Sequence, residues 1–235
     1  MEWIGVIRHG ESTGNVAREA AESGGHDVID IAERDADVPL SPEGERQGRA
    51  LGRWFASMPR EQWPDLVVAS PYRRTITTAA LALPGHPRAL VDERLRDREL
   101  GVLDLLTTHG VANRHPDELV RKRRLGKFYY RPPGGESWAD VLLRLRSLVR
   151  DLEGRRVLLF AHEITPFLLR YLLEGVPERD MLAYAHNSTV PNGSLTSWRR
   201  QDDGGWALER EFDTDHLVAH GAEPTETADA TTRSA

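Results

Sequence analysis

The sequence predicts an α/β fold, a three-layer sandwich in which helices flank a mostly parallel central sheet. Several short segments are almost continuously apolar, as strands are when both faces of a sheet are covered. These segments alternate with stretches whose apolar residues recur at helical spacing. A chain of 235 residues, 39% of them hydrophobic, is long enough to bury the core of one large domain.

Six strands are predicted from these segments. WIGVI near the N-terminus and RVLLFA in the second half of the chain are the most uniformly apolar of them. The third strand is brief, and the last two alternate between apolar and polar residues, so the final strand is placed at an edge of the sheet. In chain order the predicted strands cover residues 3–7, 65–70, 89–91, 156–161, 194–199 and 207–212.

Capping residues mark where the predicted helices begin. Ser41 precedes Pro42 and two glutamates, which is the pattern of a capped first turn. Ser137 can cap a helix in the same way, and Pro71 can open one. The longer predicted helices cover residues 42–57, 71–83 and 138–152, and another helix includes residues 166–173. A loop with one short helix is predicted for residues 10–40.

One domain is predicted over residues 1–218. It contains a lid-like insertion at about residues 102–135, where the sequence has no regular apolar pattern. Residues 219–235 are rich in Ala, Thr, Glu and Asp and also lack periodicity, which predicts a disordered tail.

The composition excludes several classes of protein. The chain contains no cysteine, so disulfides, thiolate nucleophiles and Cys-ligated metal sites are excluded. No stretch approaches the roughly 20 apolar residues of a membrane span, and the N-terminus has no export signal. A cytoplasmic protein without a membrane partner is therefore expected. The formal net charge of −6 argues against nucleic acid as a partner, and the sequence leaves a homodimer open.

Charged and polar side chains follow three of the predicted strands. Arg8 and His9 come at the end of the first strand, Arg73 follows the second, and His162 follows the fourth. Because ligands of parallel sheets sit beyond the carboxyl ends of the strands, these residues are expected at one rim. Guanidinium groups pair with phosphate oxygens, and a neutral histidine is a nucleophile near neutral pH. Arg8 and His9 alone could be a solvated turn, but together the residues favour a phosphate site that needs no metal, with Asn15 as a neutral donor.

Five motifs carry a resemblance to a known family. IRHGESTGN, at residues 7–15, resembles the signature of the histidine phosphatase superfamily, the phosphoglycerate mutase-like proteins. The companion motifs follow in the family's order, and the resemblance spans residues 4 to about 200. These companions are SPYRRTITTA at 70–79, ERLRDRELG at 93–101, YRPPGGESWADVLLRL at 130–145 and VLLFAHE at 157–163.

The resemblance implies a phosphoglycerate mutase-like fold and a role for each matching residue. It implies that His9 is the nucleophile, which would form a phosphohistidine intermediate. Arg8, Arg73 and His162 would hold the transferring phosphoryl group, and Asn15 would assist them. Neither a cofactor nor a metal is implied.

The proton donor departs from the family's pattern. The family's acid is a glutamate four residues before a glycine, and that spacing before Gly101 falls on Asp97. Aspartate can protonate a leaving oxygen, although its shorter side chain must start closer to it. Asp97 is the predicted donor, and Glu99 is its rival. Glu163 is a second departure; its negative charge would either face away from the pocket or raise the pKa of His162.

The resemblance implies hydrolysis of a phosphomonoester by a histidine acid phosphatase-type enzyme, with a small phosphorylated metabolite as the substrate. The segment VLDLLTTHG at 102–110 lacks the lysine that the mutases use, which favours hydrolysis over a mutase-type phosphotransferase. A third interpretation is a non-catalytic phosphate-binding regulatory module, because two positions depart from the family's pattern. The basic segment 121–131 is either a solvated helix face or a lid whose cations bind a second anionic group of the substrate.

Overall fold

The structure, a computed structural model, describes residues 1–86 and 89–226. Its strands are β1 (Trp3–Arg8), β2 (Leu66–Ala69), β3 (Leu90–Val91), β4 (Arg156–Ala161), β5 (Leu195–Arg200) and β6 (Trp206–Asp213). Within the described ranges they form one sheet in the order β3-β2-β4-β1-β5-β6. The first four strands pair in parallel, whereas β5 and β6 run antiparallel to their neighbours. The mostly parallel sheet is confirmed, and each predicted strand is present within about one residue of its predicted bounds.

The helices of the described ranges are α1 (Thr13–Ser23), α2 (Pro42–Ser57), α3 (Arg73–Ala82), α4 (Thr108–Arg114), α5 (Pro116–Leu125), α6 (Trp138–Asp151), α7 (Ile164–Glu174), α8 (Glu178–Asn187) and α9 (Asp215–Ala219). The predicted caps are formed at two of them. The Ser41 side chain accepts a hydrogen bond from the Gly44 amide at the start of α2, and Ser137 accepts one from the Asp140 amide at the start of α6.

Alternate residues of β4 enter two separate hydrophobic cores. Val157 and Leu159 pack with side chains of α6, α7 and α8 on one face of the sheet. Leu158 and Phe160 pack with side chains of α2, α3 and α9 on the other face. This alternation is the period of two expected of a strand that is covered on both sides. The three-layer sandwich is therefore confirmed.

The predicted insertion contains two short helices, α4 and α5. Thr107 caps α4, because its side chain accepts a hydrogen bond from the Gly110 amide, and Pro116 occupies the first turn of α5. None of the side chains of α5 is fully buried. The helix therefore lacks the core-facing apolar stripe by which a helix is recognised in a sequence. No helix in residues 1–86 and 89–226 is both long enough and apolar enough to cross a bilayer.

The prediction of a disordered tail is wrong for residues 219–226. Ala222 is buried in the second core, and the Gln47 side chain donates hydrogen bonds to the Glu223 carbonyl and the Thr225 hydroxyl. The backbone amide of Asn192 donates to the Thr225 carbonyl at 2.9 Å. These are contacts with distant parts of the chain, and a segment held in this way needs no apolar periodicity. Residues 227–235 of the predicted tail lie outside the described residues.

Candidate active site

The pairing of β1 with β4 brings the two histidines of the predicted site together. The two strands are parallel, with Arg8 opposite Ala161, so His9 and His162 leave the sheet side by side. Their rings lie 5.3 Å apart between centroids, and neither residue is accessible to solvent. Ser70 joins them from the end of β2, whose backbone pairs with the other side of β4. The expected convergence of strand ends is thus present.

His9 is held in one tautomer. Its Nδ1 lies 2.8 Å from the Gly10 carbonyl oxygen, which can only accept, so Nδ1 carries the proton and the lone pair lies on Nε2. The His9 carbonyl accepts hydrogen bonds from the Gly193 amide at 3.2 Å and from the Asn192 side chain at 3.1 Å. Asn192 and Gly193 therefore fix the backbone at His9, while the Gly10 carbonyl fixes the ring.

His162 lies in an environment that favours its neutral form. Burial is the main cause that lowers its pKa well below 6.5, and the cationic groups of Arg74, Arg144 and Arg8 act in the same direction. Its Nε2 is 2.8 Å from the Ser70 hydroxyl, and its Nδ1 is 3.4 Å from an Asp97 carboxylate oxygen. A raised pKa of His162 was one of the two effects expected of Glu163. The pKa is lowered instead, so that expectation is wrong.

The structure brings Arg74, not Arg73, into the pocket, and this corrects the sequence prediction. Both residues are in the first turn of α3, where successive side chains are about 100° apart, so only one of the pair can face inward. Arg73 is exposed, whereas only 5% of the Arg74 side chain is. Arg74 donates to Asp35 at 2.8 Å and to Asp97 at 3.3 Å. The motif itself contained the signal, because the Ser-Pro-x-x-Arg spacing of the family that it resembles, counted from Ser70 and Pro71, falls on Arg74.

Arg8 and Asn15 are both buried at the site. Arg8 is the last residue of β1, and its guanidinium donates a hydrogen bond to the Val190 carbonyl. The side-chain oxygen Oδ1 of Asn15 accepts from the Ser12 amide at 3.0 Å, as part of the capping box of α1. This bond uses the acceptor of Asn15, so its NH₂ group is the end that suits a phosphate oxygen.

Asp97 is the more buried of the two predicted proton donors. It is 7% exposed; one carboxylate oxygen accepts from the Arg98 amide at 2.8 Å, and the other faces both Arg74 and His162. The Glu99 side chain is 52% exposed and contacts the Tyr72 hydroxyl at 3.4 Å. Both acids line one cleft with Arg74 and Asn15, but only Asp97 contacts the second histidine.

The segment that carries the acids is held by two residues that sequence reasoning did not assign. Arg144 of α6 donates to the carbonyls of Arg94 and Arg96, both at 2.7 Å, and to that of Asp97 at 3.0 Å. Glu136 accepts from Arg144 at 3.1 Å and from Arg96 at 2.7 Å. The motif PGGESWADVLLRL contains both residues, and in the structure they position the acidic segment rather than contact the histidines.

The basic segment 121–131 divides into inward and outward residues. Lys122 and Lys127 are partly buried, and burial lowers the pKa of each to about 8. Glu163, itself buried, opposes that effect at Lys127. Arg123 and Arg124 are both exposed, but only Arg123 lines a cavity beneath the insertion.

Comparison with known proteins agrees with this geometry. The family model of the histidine phosphatase superfamily (branch 1) matches residues 4–214. The chain belongs to the histidine phosphatase superfamily. Its site shows the two buried histidines and the inward arginine together, and among residues 1–86 and 89–226 no cluster of three or more His, Asp and Glu side chains could hold a metal ion.

Relatives in this superfamily include both phosphatases and mutase-like proteins. The phosphoglycerate mutase-like protein AT74H of Arabidopsis thaliana is 29% identical over 68% of this chain and 56% of its own length. The 6-phosphofructo-2-kinase/fructose-2,6-bisphosphatase of Aquarana catesbeiana is 31% identical over 74% of this chain, which spans only 33% of that protein. A solved mycobacterial glucosyl-3-phosphoglycerate phosphatase, in complex with VO3, is 26% identical. It superposes with a TM-score of 0.71 over 91% of this chain and 100% of its own. These relatives support an enzyme of the phosphatase type.

Proposed function

We propose that the protein is a metal-independent phosphomonoesterase that acts through a phosphohistidine on His9, with a small phosphorylated metabolite as its substrate. The observation that carries this proposal is the tautomer of His9. The Gly10 carbonyl holds the proton on Nδ1, so the Nε2 lone pair can attack phosphorus. A second buried histidine lies 5.3 Å from the His9 ring, and the buried Arg8 and Arg74 are near enough to that second ring to lower its pKa.

The first step forms the bond between His9 Nε2 and phosphorus and breaks the bond between phosphorus and the alcohol oxygen. Arg8 and Arg74 supply positive charge to the equatorial oxygens, and Asn15 supplies a neutral donor. Neutral His162 has one N–H, which it can donate to a phosphate oxygen in exchange for its present partner, Asp97 or Ser70. Guanidinium groups keep their charge at any relevant pH, so this stabilisation does not require a metal ion.

Asp97 gives its proton to the departing alcohol oxygen. Without substrate, this carboxylate is paired with Arg74 at 3.3 Å. A phosphate oxygen that takes the guanidinium of Arg74 frees Asp97 from that pair, and Asp97 can then hold the proton it donates. In the second step, water attacks the phosphohistidine and returns a proton to Asp97, so that inorganic phosphate and free His9 are released.

Hydrolysis is favoured over transfer by two observations. Leu103 and Leu106 occupy the segment after the acids, which lacks the lysine of the mutases. The solved relative that is 26% identical over nearly the whole chain is a phosphatase. A non-catalytic binding module would not need a histidine whose proton is held on Nδ1 and whose Nε2 lone pair can attack phosphorus.

The test is hydrolysis of p-nitrophenyl phosphate in the presence of EDTA, between pH 4 and 8. Wild-type protein should turn over, and His9→Ala should lose activity by a factor of about 10⁴ or more, because the covalent route is gone. His186→Ala is a matched control at an exposed position and should keep full activity. An acid-labile phosphoenzyme should be trapped in the wild type only. A wild type that binds phosphate without turnover would contradict the proposal.

A further inference from the structure

A cavity of about 210 Å³ lies beneath the helices of the insertion. Its apolar wall comes from α4, α5 and the turn that follows the acidic segment. The apolar side chains of the wall are Leu100, Leu103, Leu106, Val111, Ala112 and Leu119. An apolar cavity of about 150 Å³ already accepts a benzene-sized ligand, so this one has room for a ring or a chain of several carbons.

The cavity continues the cleft of the proposed active site. Arg18, Arg98 and Leu100 line both the cavity and the cleft that contains Asn15, Arg74 and Asp97. Arg98 directly follows Asp97, so the lining that the cavity and the cleft share lies beside the predicted proton donor. A substrate whose leaving oxygen lies at Asp97 would therefore have its alcohol portion next to the cavity.

Two of the charged side chains that line the cavity, Glu118 and Arg98, already have hydrogen-bond partners in the protein. Glu118 accepts from the Tyr130 hydroxyl at 2.8 Å and from Arg121 at 3.0 Å. The Nε of Arg98 donates to the Glu136 carbonyl at 2.6 Å. A ligand thus has little to gain from Glu118 and Arg98. An uncharged group in this cavity gains its binding free energy mainly from apolar surface removed from water.

We propose that this cavity binds the alcohol portion of the substrate, and that preferred substrates are phosphate monoesters whose alcohol carries an apolar chain or ring. This inference rests on the proposed function. It goes beyond that function by naming the leaving group that the site selects.

The test is a series of straight-chain alkyl phosphates from ethyl to hexyl. Burial of each added methylene should raise kcat/KM about three- to fourfold while the chain still fits. The increase should come mainly through KM, because these contacts are made equally in the bound substrate and in the transition state.

Two tryptophan variants separate the cavity from the helices that surround it. Ala112 is exposed at the cavity wall, so Ala112→Trp fills the cavity without disturbing a packed core and should remove most of the dependence on chain length. Val120 is 56% exposed and does not line the cavity, so Val120→Trp should keep that dependence. A wild type that hydrolyses all the esters with equal kcat/KM would overturn the inference and leave the proposed function intact.

Binding to the His9→Ala variant tests the cavity independently of catalysis. Calorimetry should show that hexyl phosphate binds at least tenfold more tightly than ethyl phosphate, and that the additional Ala112→Trp change removes most of that difference. Equal affinities would overturn the cavity assignment. If no ester is hydrolysed but hexyl phosphate binds more tightly, the proposed function fails and the apolar site stands.

Discussion

Replacement of Arg74 and of its neighbour Arg73 tests which arginine serves the phosphate. The two residues share a side-chain type, a charge and a helix, yet only Arg74 lies in the pocket. Arg74→Ala should lower kcat/KM strongly, whereas Arg73→Ala should leave it within about twofold, as is usual for an exposed side chain.

The size of the effect follows from the contacts that Arg74 makes. Two guanidinium hydrogen bonds to a phosphate are worth about 3–6 kcal/mol together. One of them replaces the existing pair with Asp97 at 3.3 Å, so its gain is partly offset. A net loss of about 3 kcal/mol corresponds to a factor of about 100 in kcat/KM.

The assay is steady-state hydrolysis of p-nitrophenyl phosphate, with inorganic phosphate as a competitive inhibitor. Arg74→Ala should also weaken inhibition by phosphate, since the same fork binds the product. Arg74→Lys keeps the charge but loses the bidentate fork, so it should fall between the wild type and the alanine variant. Thermal melts of all variants control for folding, because Arg74→Ala leaves Asp97 buried without its cation. A folded Arg74→Ala of normal activity, beside an impaired Arg73→Ala, would refute the assignment.

Three further predictions concern the acid, the insertion and pH. Asp97→Asn should slow hydrolysis of alkyl phosphates by about 10²–10⁴ but that of p-nitrophenyl phosphate far less, because nitrophenolate leaves without a proton; the same pattern in Glu99→Gln would transfer the role of donor to Glu99. Arg123→Ala should raise KM about fivefold for substrates with a second anionic group, whereas Arg124→Ala, outside the cavity lining, should not. If both variants had the KM of the wild type, the basic segment would be a solvated face. Because the pKa of His162 is lowered below 6.5 in the folded state, the unfolded chain binds its proton more readily and stability falls as the pH drops below about 6.5. Denaturant unfolding of His162→Gln should show that pH slope reduced by up to about 1.4 kcal/mol per pH unit, and an unchanged slope would contradict the neutral assignment.

Much of the site could be predicted from sequence because strand ends are local features. An apolar run followed by Arg8 and His9, or by His162, shows both where the strand ends and which side chains leave it. Parallel pairing then places those ends at one rim. Helical phase is harder to predict: an error of a single residue in the motif exchanges exposed Arg73 for buried Arg74, which are about 100° apart.

The sequence by itself determined the α/β class, the two histidines of the pocket and the membership of the superfamily, because these depend on local patterns and short motifs. The tertiary structure corrected which arginine faces inward, and it alone decided that residues 219–226 are held against the domain and that the insertion covers an apolar cavity. Those features depend on distant segments that come together, as Gln47 and Thr225 do in a hydrogen bond and as Leu100, α4 and α5 do around one cavity. No periodicity within either segment encodes such a contact, because the free energy that stabilises it comes from both partners together.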